Sequence, residues 1–61
     1  MRASLVIDMD NAAFHDAPAS ELGRILRNVA DRVEAWGESS IVLQDVNGNK
    51  VGLFWIEGGR R

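Results

Sequence analysis

Apolar and polar residues alternate from Ala3 to Met9. Ala3, Leu5, Ile7 and Met9 fall on one side and Ser4, Val6 and Asp8 on the other, which is the period of a half-buried strand. From Pro18 the period lengthens. Leu22, Ile25, Leu26, Val29, Val33 and Trp36 recur every three to four residues, so they line one stripe of an amphipathic helix of about five turns. Glu21, Arg24, Arg27, Asn28, Asp31, Arg32 and Glu34 occupy its polar side, with Arg27 and Asp31 spaced to pair at i, i+4. Pro18 suits the first helical turn, because an amide hydrogen there has no partner to lose. Gly37 can end the helix in a left-handed conformation. Between strand and helix, Asp10 to Ala17 has no period, and Ala17 precedes a proline, which predicts a loop.

Ile41 to Val46 and Asn49 to Ile56 flank Asn47-Gly48, a dipeptide that accepts the positive φ angles of a two-residue type I′ turn. That turn would set Val46 opposite Asn49, Asp45 opposite Lys50 and Gln44 opposite Val51, with an opposite-charge pair across the strands. The reading is one small α+β domain over residues 1–61, with order strand, helix, hairpin and with 57–61 as a flexible tail. One helix covers one face of a three-stranded sheet. The segment Val51 to Ile56 is the most continuously apolar, which favours it as the central strand.

The same register gives the hairpin two apolar sides. Val42, Gln44, Val46, Val51, Leu53 and Trp55 share one, and Ile41, Leu43, Asp45, Lys50, Phe54 and Ile56 share the other. A single helix covers only one of them, so the second is a candidate contact surface. The candidate interface residues are Val42, Val51, Leu53 and Trp55 on one side and Phe54 and Ile56 on the other. The competing expectation is that the sheet curls and the loop with Phe14 closes over what the helix leaves bare.

Length sharpens this expectation. A chain of 61 residues buries only about 60% of the surface it exposes when unfolded, and it has no cysteine and a single histidine, His15. Disulfide staples are excluded, so association with another chain is the remaining way to add stability. No apolar run is longer than four residues, Leu5 to Ile7 and Leu53 to Ile56 included, which is too short for a signal-peptide core or a membrane span, and the expected location is the cytoplasm. With a formal net charge of −2 and interspersed signs, no summed field draws the chain to a phosphate backbone. A nucleic-acid accessory role through Arg24, Arg27, Arg32, Lys50, Arg60 and Arg61 is the alternative reading.

Catalytic patterns are thin. Leu5-Val-Ile-Asp-Met-Asp-Asn11 resembles the opening of haloacid dehalogenase-type phosphatases and of some metal-dependent nucleases, but those need further groups from a long doubly wound domain. Asp45-Val-Asn-Gly-Asn49 has oxygens at alternate positions, yet Ile56 stands where a calcium loop requires a bidentate glutamate. His15, Asp16 and Ser20 lie near one another in sequence without an oxyanion loop. No metal or cofactor pattern emerges, and the expectation is a non-enzymatic protein.

Asp10-Asn-Ala-Ala-Phe14, Glu21-Leu-Gly-Arg-Ile-Leu-Arg27, Ala30-Asp-Arg-Val-Glu34 and Asp45-Val-Asn-Gly-Asn-Lys-Val-Gly52 together resemble a group of short uncharacterised proteins of bacteriophages, prophages and plasmids. The likeness covers most of the chain and implies a mobile-element origin. By analogy with phage proteins of this size, it also implies a host defence or regulatory protein, such as a CRISPR effector, as the partner bound and blocked. The expected function is therefore a protein-binding module, a homodimer or the inhibitor of a host protein.

Overall fold

The computed structural model describes residues 1–58. Strand β1 (Arg2–Ile7) leads through a 3-10 turn at Ala12–Phe14 into helix α1 (Pro18–Trp36), followed by strands β2 (Ser40–Gln44) and β3 (Lys50–Glu57). The sheet has the order β1-β3-β2, and β3 is antiparallel to both neighbours. This is the small α+β fold the hydrophobic pattern predicts, with the apolar segment Val51 to Ile56 in the middle strand. Glu57, expected in the tail, instead closes β3 opposite Arg2; residues 59–61 of that tail lie outside the described residues.

The helix begins at Pro18 and ends at Gly37, whose φ of 63° is left-handed and whose N–H donates to the Val33 carbonyl at 2.9 Å. Glycine adopts this conformation without a Cβ penalty. The buried stripe is narrower than the spacing suggests. Glu21, Ile25 and Val29 are buried, whereas Leu26 is exposed and Trp36 is 74% exposed at the last turn. The expected Arg27–Asp31 pair does not appear among the ion pairs of the described residues. Arg24 pairs with Glu21, and Arg32 makes two 2.8 Å bonds to Glu38 just past the helix end.

The core joins Ile25 and Val29 of the helix to Ile41, Leu43, Val51 and Phe54 of the hairpin, with Phe14 from the loop. Leu5, Ile7, Val33 and Ile56 pack at its margin. Phe14 thus enters the layer between helix and sheet rather than closing over the opposite face.

The hairpin turn differs from expectation. Gly48 N–H donates to the Asp45 carbonyl at 3.0 Å, Asp45 N–H donates to the Asn49 carbonyl at 2.9 Å, and Gly48 has φ 85°. The loop has three residues, Val46 to Gly48, with glycine in the left-handed position that closes such loops. Leu43 then pairs with Gly52 while Gln44 pairs with Lys50, leaving Val51 as an extra residue in a bulge. The bulge turns Val51 into the core, where it is 6% exposed. It also replaces the expected Asp45–Lys50 pair by Asp45 with Asn49 and Gln44 with Lys50.

Beside the bulge, Gly52 runs so close to β1 that a Cβ on it would overlap the Val6 carbonyl oxygen. Any side chain there collides with backbone, so the close approach of β1 to β3 requires glycine.

Candidate functional site

Alternation along the three strands sorts the candidate residues onto two faces. Phe54 and Val51 are buried under the helix, and Ile56 packs against the same core. Val42, Leu53 and Trp55 face the other way. The candidate set is therefore divided: Val51, expected to lie with Leu53 and Trp55, belongs to the core because of the bulge.

The uncovered face has a definite pattern. Val6, Leu53 and Val42 lie side by side across the three strands, and Ser4, Trp55 and Ser40 form the next row. Val6 is 59% exposed, Val42 51% and Leu53 38%, so the aliphatic row is open to solvent along its length. Trp55 is half-buried and donates its indole N–H to Glu57 Oε2 at 2.6 Å. That bond settles the indole's polar end while the ring stays between two serines. A shallow groove of about 400 Å³ lies on this face, lined by Val6, Leu53, Trp55, Gly52 and the accessible edge of the otherwise buried Val51, with Asp8 and Lys50 as its charged residues. Val6 was not singled out in the sequence, because its strand pairs with β3 only through a crossover that local periodicity does not reveal.

At the hairpin turn, Asp45 is 4% exposed. Its Oδ1 accepts the N–H of Asn47 and of Asn49, each at 2.9 Å, and its Oδ2 accepts Asn11 Nδ2 at 2.9 Å and Asn49 Nδ2 at 3.3 Å. The Asn49 amide first of all, then Asn11 and the others, holds this carboxyl below its usual range against the opposing effect of burial. Nearby, Glu21 receives two 3.0 Å bonds from Arg24 and a 2.8 Å bond from Val46 N–H, and Arg24 lowers its carboxyl. Asp45 accepts four bonds and Glu21 three, all from protein donors, so the two carboxylates brace the turn.

The other chemical candidates stay apart. Asp8 Oδ1 accepts the N–H of Asp10 at 3.0 Å in an exposed turn. Among the described residues no group of three or more His, Asp or Glu side chains gathers as for a metal ion. Arg24 and Arg32 are matched by Glu21 and Glu38. Lys50 lines the groove of the uncovered face and stands opposite Gln44, whose carbonyl accepts from Arg24; Arg60 and Arg61 lie outside the described residues. No helix among the described residues is long and apolar enough to cross a membrane.

Comparison with protein-family models, curated proteins and solved structures returns no match for this chain.

Proposed function

We propose that this chain is a non-enzymatic protein-binding module whose contact surface is the uncovered face of the sheet. The observation that carries the reading is the solvent-open row Val6, Leu53 and Val42 with Trp55 beside it, on a sheet whose opposite side is covered by α1. An aromatic flanked by aliphatics, with acidic and basic groups at the rim, has the composition of an interface centre. The partner is a second copy of the chain or a host protein. The likeness of four segments to proteins of bacteriophages, prophages and plasmids favours a mobile-element origin and a host protein that the module blocks.

The test is a pair of lysine substitutions, Val42→Lys and Leu53→Lys, which charge the row without entering the core. Immobilised wild type retains a defined protein from bacterial lysate, and the double variant, with an unchanged circular dichroism spectrum, loses it. Equal retention by both sinks the reading.

A further inference from the structure

The two outer strands of the sheet are not equivalent, and the difference selects a partner. Asp8 N–H donates to the Val51 carbonyl at 2.7 Å, which continues the β1–β3 register and fixes its phase. In an antiparallel ladder hydrogen-bonded pairs alternate, so Arg2, Ser4, Val6 and Asp8 turn their backbone groups toward β3. Ala3, Leu5 and Ile7 turn theirs to the outer edge. On β2 the bond from Ile56 N–H to the Ser39 carbonyl gives the complementary phase, with Ser40, Val42 and Gln44 facing out. There Arg24 Nη2 already donates to the Gln44 carbonyl at 3.2 Å, blunting the edge with a charged side chain as natural sheets do. Nothing among the described residues pairs with the outer edge of β1.

We infer that β1 is a self-complementary edge, which pairs with β1 of a second copy about a two-fold axis through Leu5. Antiparallel pairing about an axis perpendicular to the sheet keeps each residue on its own face, so partners must have the same parity. Centring on Leu5 sets Leu5 against Leu5, Ala3 against Ile7, Ser4 against Val6, and Arg2 against Asp8. All three outward N–H groups and all three outward carbonyls of each strand then find partners. On the helix side the seam brings together Leu5 and Ile7, which are only half-buried in one copy. On the uncovered side it closes two Arg2–Asp8 pairs, and opposite charges directly across strands stabilise a sheet.

Neither residue has an ion-pair partner within one copy among the described residues; Arg2 has Glu57 opposite it on the inner flank. A register centred on Ser4 puts Arg2 against Val6 and leaves Asp8 without a partner in the strand, and one centred on Val6 puts Asp8 against Ser4 and Arg2 against Asp10, which lies past the strand end with its N–H turned back to Asp8 Oδ1. The Leu5 register is therefore the one the charges select. The product is a six-stranded sheet with both helices on one side and the two uncovered faces merged on the other. It goes beyond the proposed binding role, since it concerns the edge and not the face.

At 61 residues the full chain is accessible to total synthesis, which permits a backbone test. Sedimentation equilibrium from about 10 µM to about 1 mM covers the range suited to a small interface. Wild type is expected to rise from 6.7 kDa toward twice that mass. N-methylation of Leu5 removes an outward N–H without touching the β1–β3 ladder, and this form is expected to stay monomeric. N-methylation of Val42, on the other edge, is expected to leave the mass as in wild type.

Arg2→Glu and Asp8→Arg should each weaken association by about tenfold, whereas an equimolar mixture of the two, or the double exchange R2E/D8R, regains it. A monomeric wild type at about 1 mM overturns the inference, as does a dimer that survives N-methylation of Leu5 or an R2E/D8R form no better than its parents. Leu53→Lys separates the two proposals. Loss of lysate capture with retained mass leaves the edge intact, and loss of mass with Leu53→Lys but not with N-methyl-Leu5 places self-association on the face and overturns the edge.

Discussion

Asn11 Nδ2 donates to Asp45 Oδ2 across 2.9 Å, and this bond ties the loop after β1 to the hairpin turn 34 residues later. It joins side chains of two segments far apart in sequence, beside the backbone bond from Asp8 N–H to the Val51 carbonyl. Asn11→Ala should cost about 1 kcal/mol, the usual value of one such bond, and lower Tm by about 4–8 °C in a domain this small. Asp45→Ala should lower it further, since the amides of Asn47 and Asn49 lose their acceptor as well. Thermal melts followed by circular dichroism rank the two, and an Asp45→Ala melt equal to that of wild type contradicts the bracing role.

The same carboxylates set an acid limit. Asp45 and Glu21 both titrate lower in the folded chain than in the unfolded one, held there chiefly by the Asn49 amide and by Arg24. The unfolded chain therefore binds more protons in acid, and stability that is full above the ordinary carboxylate range, about pH 4 to 5, is lost as pH falls through it toward the folded values. Urea midpoints should be flat from about pH 7 to pH 5 and decline below. Asp45→Asn, less stable at neutral pH, should show a shallower acid decline. A wild-type midpoint that rises on acidification reverses the sign and refutes the account.

Gly52 offers a steric test. A methyl group on it meets the Val6 carbonyl and cannot move aside, because both atoms belong to paired strands. Gly52→Ala should destabilise by about 1–3 kcal/mol, the range of overpacked sites. Gly23→Ala, whose nearest neighbour is the movable Arg27 guanidinium at 3.4 Å, should instead be neutral or stabilising, since alanine is the better helix former. Equal melts for the two variants would show that β1 and β3 can separate at little cost.

These residues mark where sequence reading succeeds and where it stops. Pro18 and Gly37 bound the helix through their own backbone chemistry, and the apolar run in β3 announces a strand with neighbours on both sides. The expected hairpin register fails because of side-chain bonds that period alone does not reveal. Asn47-Gly48 accepts a two-residue or a three-residue loop, and the longer one is held by the Asp45 side chain, which gathers Asn47, Asn49 and the distant Asn11. The three-residue loop accompanies the bulge at Val51, which moves one candidate interface residue into the core. Glu21 is similar: it sits in the first helical turn like any solvated acid, yet Val46 N–H and Arg24 draw it under the turn. Ser4, Val6 and Trp55 come together only once β1 pairs with the end of the chain, which no local period encodes.

The division of the hairpin into a core side and an open side predicts opposite responses from neighbours in sequence. Leu53 and Phe54 are adjacent, both apolar, and face opposite ways, with Phe54 at 9% exposure and Leu53 at 38%. Phe54→Ala empties a site shared by the helix and both outer strands and should cost about 3–5 kcal/mol, enough to unfold a domain of this size at ordinary temperature. Val51→Thr puts a hydroxyl among the core side chains, where Val51 is 6% exposed, and should also destabilise, by about 1–3 kcal/mol. Val42→Thr and Leu53→Thr remove apolar surface that water already reaches and should stay within about 1 kcal/mol of wild type. Urea unfolding of the four variants checks the assignment directly. If Val51→Thr is as mild as Val42→Thr, Val51 faces solvent, the bulge is absent, and the two-residue turn with its Asp45–Lys50 pair is restored.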